Sequence, residues 1–260
     1  MPTRSCLAVV LAACAASAST ASAQGQELSV EGVWSNRLNS EDHPAWRIED
    51  HLCGNCAPAE LDHLKALLAD PRNSDRSLAD LRQEAAQVGN RYLQQLFTDA
   101  GRDRQRQFEP PADASLECRP PFIHQLIMNP LPMAIEIHEE QVVFRHHIWN
   151  TVRTVPIADR PARAEGEGSL YGVATARFEG ATLIVESVNI ASIATGGVNT
   201  TDDTTVVERY TPSQNGSRLD IEVTLDDPET YREPRVWITA RVRTPDVELF
   251  EYDPCEGLTE

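Results

Sequence analysis

Arg218-Leu219-Asp220-Ile221-Glu222-Val223-Thr224-Leu225 is the stretch that decides the fold. Leu219, Ile221, Val223 and Leu225 alternate with Arg218, Asp220, Glu222 and Thr224, a period of two that puts one face of a strand in a core and the other in water. The same grain runs in both directions. Strands are expected at 133–138, 141–148, 151–157, 170–178, 181–188, 204–211, 217–225, 234–243 and 247–252. Turn signals separate them: Glu139-Glu140, Glu179-Gly180, Gln214-Asn215-Gly216, Asp226-Asp227-Pro228 and Pro245-Asp246. Consecutive strands without helical crossovers favour a mainly β, antiparallel up-and-down barrel or a strongly curled sheet over a parallel α/β fold.

Upstream of the meander, Gly32-Val33-Trp34 opens a first strand, and Trp46-Arg47-Ile48 reads as a short one. Pro58, in the first turn of a helix where its missing N–H costs nothing, precedes Leu61, Leu64, Leu67 and Leu68 on one face. A second helix is expected from Ser77 to Thr98, with Leu78, Leu81, Ala85, Val88, Tyr92, Leu93 and Leu96 at helical spacing. Both helices are amphipathic and need an apolar surface, the outside or mouth of the barrel. Residues 100–117, charged and holding prolines, read as a linker. The helices therefore form an insertion between the first strand and the main meander. The organisation expected is 1–23 as a leader, 24–117 as first strand, helices and linker, and 118–260 as the meander that completes one barrel domain.

The leader reading comes from Arg4, the apolar run Cys6 to Ala13 and the small residues ending Ala21-Ser22-Ala23, a secretory signal with its cleavage site. Its apolar run is far short of the roughly 20 residues that span a bilayer, so a periplasmic or secreted protein without a transmembrane segment is expected. Leu11-Ala12-Ala13-Cys14 offers a second reading, a lipoprotein anchored through Cys14. The formal net charge of −17 is set by 40 acids against 23 lysines and arginines. Such a balance excludes nucleic acid as partner, because phosphates call for cations, and otherwise serves solubility. Beyond the leader stand Cys53, Cys56, Cys118 and Cys255. In an oxidising compartment four cysteines form two disulfides, and Cys118–Cys255 with Cys53–Cys56 is the pairing expected of the three open ones. His51, Cys53, Cys56 and His63 are zinc-ligand types at a spacing that matches no standard finger. A small disulfide loop is the preferred reading, with no metal and no cofactor.

Candidate chemistry gathers on the first strand pair of the meander. His138, His146 and His147 stand there with Glu136 nearby and His124 just upstream. Adjacent residues of a strand face opposite ways, so His146, in phase with Val142, Phe144 and Ile148, and His147, in phase with Arg145 and Trp149, cannot both line a cavity. A histidine in a partly dry cavity serves as an acid or base near neutral pH. His146, His147 and Arg153 are the catalytic candidates, and His138, Trp149, Tyr171, Glu208 and Tyr210 the ligand-binding ones. Glu208 and Arg209 likewise oppose each other, and whichever points inward must be paired or meet a polar ligand group. A structural Arg–Glu bridge across the barrel is the plainer reading of these charges, and inert hydrogen-bonded histidines the plainer reading of the cluster. No nucleophile elbow, P-loop or dinucleotide fingerprint occurs, and Gly196-Gly197 reads as a loop tip.

The Gly-x-Trp opening, the meander and the late cysteine resemble the lipocalin-like (calycin) architecture. From Cys118 to Glu256 the chain also resembles an uncharacterised family of exported bacterial proteins. The resemblance rests on Cys118-Arg119-Pro120-Pro121, Arg153-Thr154-Val155, Gly172 to Val185, Val206-Val207-Glu208-Arg209-Tyr210, Val223 to Pro228 and Glu251-Tyr252-Asp253-Pro254-Cys255. Ala174, Ala176, Phe178 and Ala181 depart from the family pattern, and His147 stands where that pattern has a carboxylate. The resemblance implies a shared fold and export and brings no reaction. Two functions are therefore expected to compete: a barrel that binds a small hydrophobic or amphipathic molecule, and a cofactor-independent isomerase, cyclase, lyase or dehydratase working through His146 or His147 with Arg153 or a tyrosine.

Overall fold

The computed structural model describes residues 28–36, 56–107, 120–159, 168–191, 194–195 and 198–249. The expected leader, Cys14, the strand at 46–48, His51, Cys53, Cys118, Cys255 and the Gly196-Gly197 tip lie outside them. Nine strands form one sheet: β1 Gly32–Ser35, β2 Met133–Ile137, β3 Gln141–His146, β4 Val152–Pro156, β5 Val173–Glu179, β6 Thr182–Val188, β9 Thr205–Ser213, β10 Arg218–Asp226 and β11 Arg235–Arg243. A two-residue pair, β7 Ala194–Thr195 and β8 Val198–Asn199, makes a separate ladder between β6 and β9. In the sheet, β1 pairs both β2 and β11, and every ladder is antiparallel. The order is that of the chain, an up-and-down barrel.

An odd number of alternating strands cannot close antiparallel throughout. The mismatch falls between β4 and β5, which meet in parallel at Ile157 and Ala176, with Ala158 N–H donating to Ala176 C=O at 3.0 Å. The barrel is therefore nearly closed, with a short seam. Pro156 suits it: Ile157 N–H turns to Glu140 on the β3 side (2.8 Å), so the alternate residue Pro156 directs its nitrogen toward the seam, where no donor is needed.

The inner face is set by parity. Val142, Phe144, Val155, Ala176, Leu183, Val185, Val206, Tyr210, Leu219, Val223 and Leu225 are all at most 1 % exposed. The Gly-x-Trp opening has a structural reason. Trp34 lies at 0 % exposure with its Nε1 donating to Val30 C=O at 2.8 Å, and the Arg243 guanidinium sits 4.3 Å from its ring centroid. Arg243 also donates to the carbonyls of Glu31, Ser29 and Gly216. A Cβ on Gly32, whose φ is +134°, would stand 2.3 Å from Arg243 Nη1, so glycine lets the arginine pass.

Helix α1, Pro58–Ala69, packs on α2, Leu78–Leu96, through Leu64, Leu81 and Ala85. Ser77 caps α2, its Oγ accepting from Asp80 N–H. The linker or loop expected over 100–117 is corrected at its start by α3, Asp99–Gln107, and residues 108–117 lie outside the described residues. Thr98 Oγ1 accepts from Gly101 N–H, and the Arg102–Asp99 and Arg106–Asp103 pairs support the exposed side. With Gly101 its only buried residue, α3 carries no apolar stripe to read. It docks on the β10–β11 loop: Thr98 N–H donates to Thr230 C=O and Arg232 N–H to Leu96 C=O. Val247, Glu248 and Leu249 form no strand, correcting the start of the strand expected at 247–252; the remainder lies outside the described residues. One further helix, α4 Ile123–Met128, was not anticipated.

Candidate functional site

Four side chains meet inside the barrel, two from the neighbouring strands β3 and β4 and two from β9 across the interior. Arg153 on β4 donates from Nη2 to Glu208 Oε1 at 2.6 Å and from Nη1 to Oε2 at 3.1 Å, across to β9. Tyr210 O–H donates to Glu208 Oε2 at 2.5 Å. Phe144 on β3 lies 5.3 Å from the Tyr210 ring, and the Arg153 guanidinium sits 5.5 Å from the Phe144 centroid and 5.7 Å from that of Tyr171. Burial works against the Arg153 charge, but the Glu208 carboxylate beside it prevails and holds the guanidinium protonated. Burial together with Glu208 drives the Tyr210 hydroxyl well above its usual range. It is thus fixed as a donor. The Arg–Glu bridge expected across the barrel is present; Glu208 is the inward member of its pair and Arg209 the outward one.

His146 extends this cluster toward the end where β3 stops and β4 starts. Its N–H donates to Thr151 C=O at 2.8 Å, and its ring lies parallel to Phe144 at 6.4 Å. It is 4 % exposed, and Nε2 has no hydrogen-bond partner. Burial, then the charges of Arg153 and Arg241, hold the imidazole neutral far below its ordinary value. His147 is equally buried, because β3 has ended and its backbone turns helical, so strand parity no longer separates the two. Its N–H donates to Pro132 C=O at 3.0 Å.

The other candidates disperse. His138 is half-exposed outside the barrel, 3.7 Å from Glu136. Trp149 is half-buried in the β3–β4 turn at φ +58°, followed by Asn150 at +47°, a left-handed pair that glycine and asparagine ordinarily fill. Tyr171 borders the cluster, its hydroxyl donating to Pro121 C=O at 3.2 Å, and burial raises its pKa. Cys56 is buried, its carbonyl accepting from Ile238 N–H. Among the described residues no group of three or more His, Cys, Asp or Glu side chains is placed to hold a metal ion.

Two residues outside the expected set complete the interior. Arg241, 3 % exposed and in phase with inward Trp237, donates from Nη1 to Leu131 C=O (2.8 Å) and from Nη2 to the carbonyls of Ile127 (2.7 Å) and Asn129. Burial lowers its pKa to about 10. His124 on α4 stacks on Trp237 at 4.9 Å; burial, then Arg235, push it down to about 3. Parity along 235–243 pointed the other way: Val236, Ile238, Ala240 and Val242 form the apolar register, yet Trp237, Thr239 and Arg241 lie opposite the inward Val223, Ile221 and Leu219 of β10, so Arg241 faces the interior. No family model matches the chain, and neither the curated proteins nor the solved structures include a similar one.

Proposed function

We propose that the protein is an exported barrel that binds a small hydrophobic or amphipathic molecule in its interior, with His146 meeting the ligand's polar group. The unpartnered Nε2 of His146 on the inner face carries this reading. A buried polar atom without a partner costs about 1–3 kcal/mol, and a ligand hydroxyl or carbonyl, or one ordered water, removes that cost. Arg153, Glu208 and Tyr210 satisfy one another, so they serve as the wall behind the site. Export rests on the leader-like residues 1–23 and on the resemblance to exported bacterial proteins. An acid–base enzyme on the same residues is disfavoured, since burial makes neutral His146 a weak base.

The test is native mass spectrometry of the protein purified from the exported fraction of its own host, beside a His146→Phe variant. An adduct of a few hundred daltons that leaves on denaturation and is lost in the variant is the expected result. A bare polypeptide in both would remove the binding reading. Recovery only from the cytoplasm would remove export.

A further inference from the structure

Arg241 is a fully buried cation with no carboxylate partner among the described residues; it donates to the Ile127 and Asn129 carbonyls at the end of α4 and to Leu131 C=O just beyond it. Ile127 belongs to that helix and Asn129 is its C-terminal cap. The last carbonyls of a helix carry partial negative charge. Arg241 Nε and His124 Nδ1 remain without partners, so the fit is incomplete. The helix itself is unusual. Its residues Ile123, His124, Leu126, Ile127 and Met128 are all buried, Phe122 before it is 1 % exposed, and Phe122, Ile123, Ile127 and Met128 belong to the same core as the inner strand residues. At six residues it is too short to be stable alone. Its shape is a mostly apolar rod about 9 Å long, broken by His124 and Gln125, with negative charge at one end, laid along the inner face of β11 from Trp237 to Arg241.

We propose that α4 is an internal stand-in for the ligand: the barrel takes an amphipathic monocarboxylate whose head group replaces the α4 carbonyls on Arg241 and whose chain replaces Phe122 to Ile127. This rests on the reading of the interior as a binding site and names both the ligand class and the element that keeps ligand out. A closed form in which α4 is seated lowers apparent affinity by the fraction of molecules in which it is unseated. Weakening the helix therefore tightens binding.

Octanoate and 1-octanol, whose chains approximate the length of α4, separate the parts when titrated calorimetrically into the intact chain, with amide exchange followed in parallel. Octanoate is expected to bind at least tenfold tighter than 1-octanol. On saturation, exchange should rise across Phe122 to Met128 while β9 and β10 stay protected. Ile127→Ala should tighten octanoate about tenfold, and Arg241→Gln should abolish the preference over 1-octanol. Equal affinity of the two probes overturns Arg241 as head-group anchor while leaving the binding reading standing. Octanoate binding with unchanged exchange at Phe122 to Met128 overturns α4 as the displaced element. No binding of either probe, to the wild-type chain or to Ile127→Ala, overturns this inference and leaves the binding reading to the native mass measurement. If Arg241→Gln fails to fold, the wild-type comparison decides alone.

Discussion

Glu208 has no exposure, and its two oxygens are shared between Arg153 and Tyr210. Replacing it by glutamine leaves a guanidinium buried without its counter-charge, which costs about 4 kcal/mol. The Glu208→Gln midpoint in urea should fall accordingly, whereas the double change Arg153→Met with Glu208→Leu should recover most of the loss. A double variant as unstable as the single one would mean that packing, rather than charge, holds these strands. His146→Phe makes the opposite prediction. It removes an unpartnered polar atom from the core, so stability should rise by about 1 kcal/mol even as ligand is lost. Strand parity was enough to require that one of Glu208 and Arg209 be buried and paired. It could not name Arg153 as the partner, because β4 and β9 meet across the interior rather than along a ladder. Parity also failed for His146 and His147, where the strand ends between them.

At the scale of elements, two helical glycines separate packing from propensity. A Cβ on Gly101 of α3 would stand 2.2 Å from the Thr230 carbonyl oxygen, which is backbone of the β10–β11 loop. The same Cβ on Gly89 of α2 would meet the Glu60 carboxylate, which can turn away, and stand 3.3 Å from Glu60 Cβ, which must give by a few tenths of an ångström. Gly101→Ala should therefore destabilise by about 2 kcal/mol, and Gly89→Ala should gain up to about 1 kcal/mol of helix propensity. Thermal unfolding of the two variants with opposite signs checks this docking. The loop that receives α3 is itself fixed by Asp227, at 0 % exposure. It accepts from the Thr201 and Thr230 amides and from the Thr204 hydroxyl. Helices α1 and α2 were legible because each carries an apolar stripe. Helix α3 was not, since its docking needs only a missing side chain. Helix α4 was not, since six residues are too few to show a helical period.

For the whole molecule, acid is the informative variable. His124, held down to about 3, and His146, held far below its ordinary value, are both neutral in the folded state, while in the unfolded chain each takes a proton near pH 6.5. The unfolded state therefore binds more protons below that pH. Stability is full above about pH 6.5 and falls as the pH drops toward 3, by about 1.4 kcal/mol per pH unit for each histidine. Denaturation midpoints at pH 7 and pH 5 should show this loss, and His124→Phe should remove about half of the histidine contribution. A slope unchanged by that substitution would place the acid sensitivity in the carboxylates.

Strand direction and the positions of most strands follow from local alternation and turns, because a pleated backbone with one wet face records its burial residue by residue, but which register turns inward was decided in three dimensions, as β11 shows by facing Trp237 and Arg241 inward in place of Val236, Ile238 and Val242. The sequence by itself thus determined an antiparallel up-and-down barrel with a helical insertion. Where the barrel fails to close was decided only in three dimensions, since β1 makes the count odd and forces β4 and β5 to run parallel. Three-dimensional packing likewise chose which charges meet inside and what fills the interior. Arg153 with Glu208, and Arg241 with the end of α4, are contacts between segments distant in the chain, selected by the curvature of the whole sheet, and no local pattern encodes them.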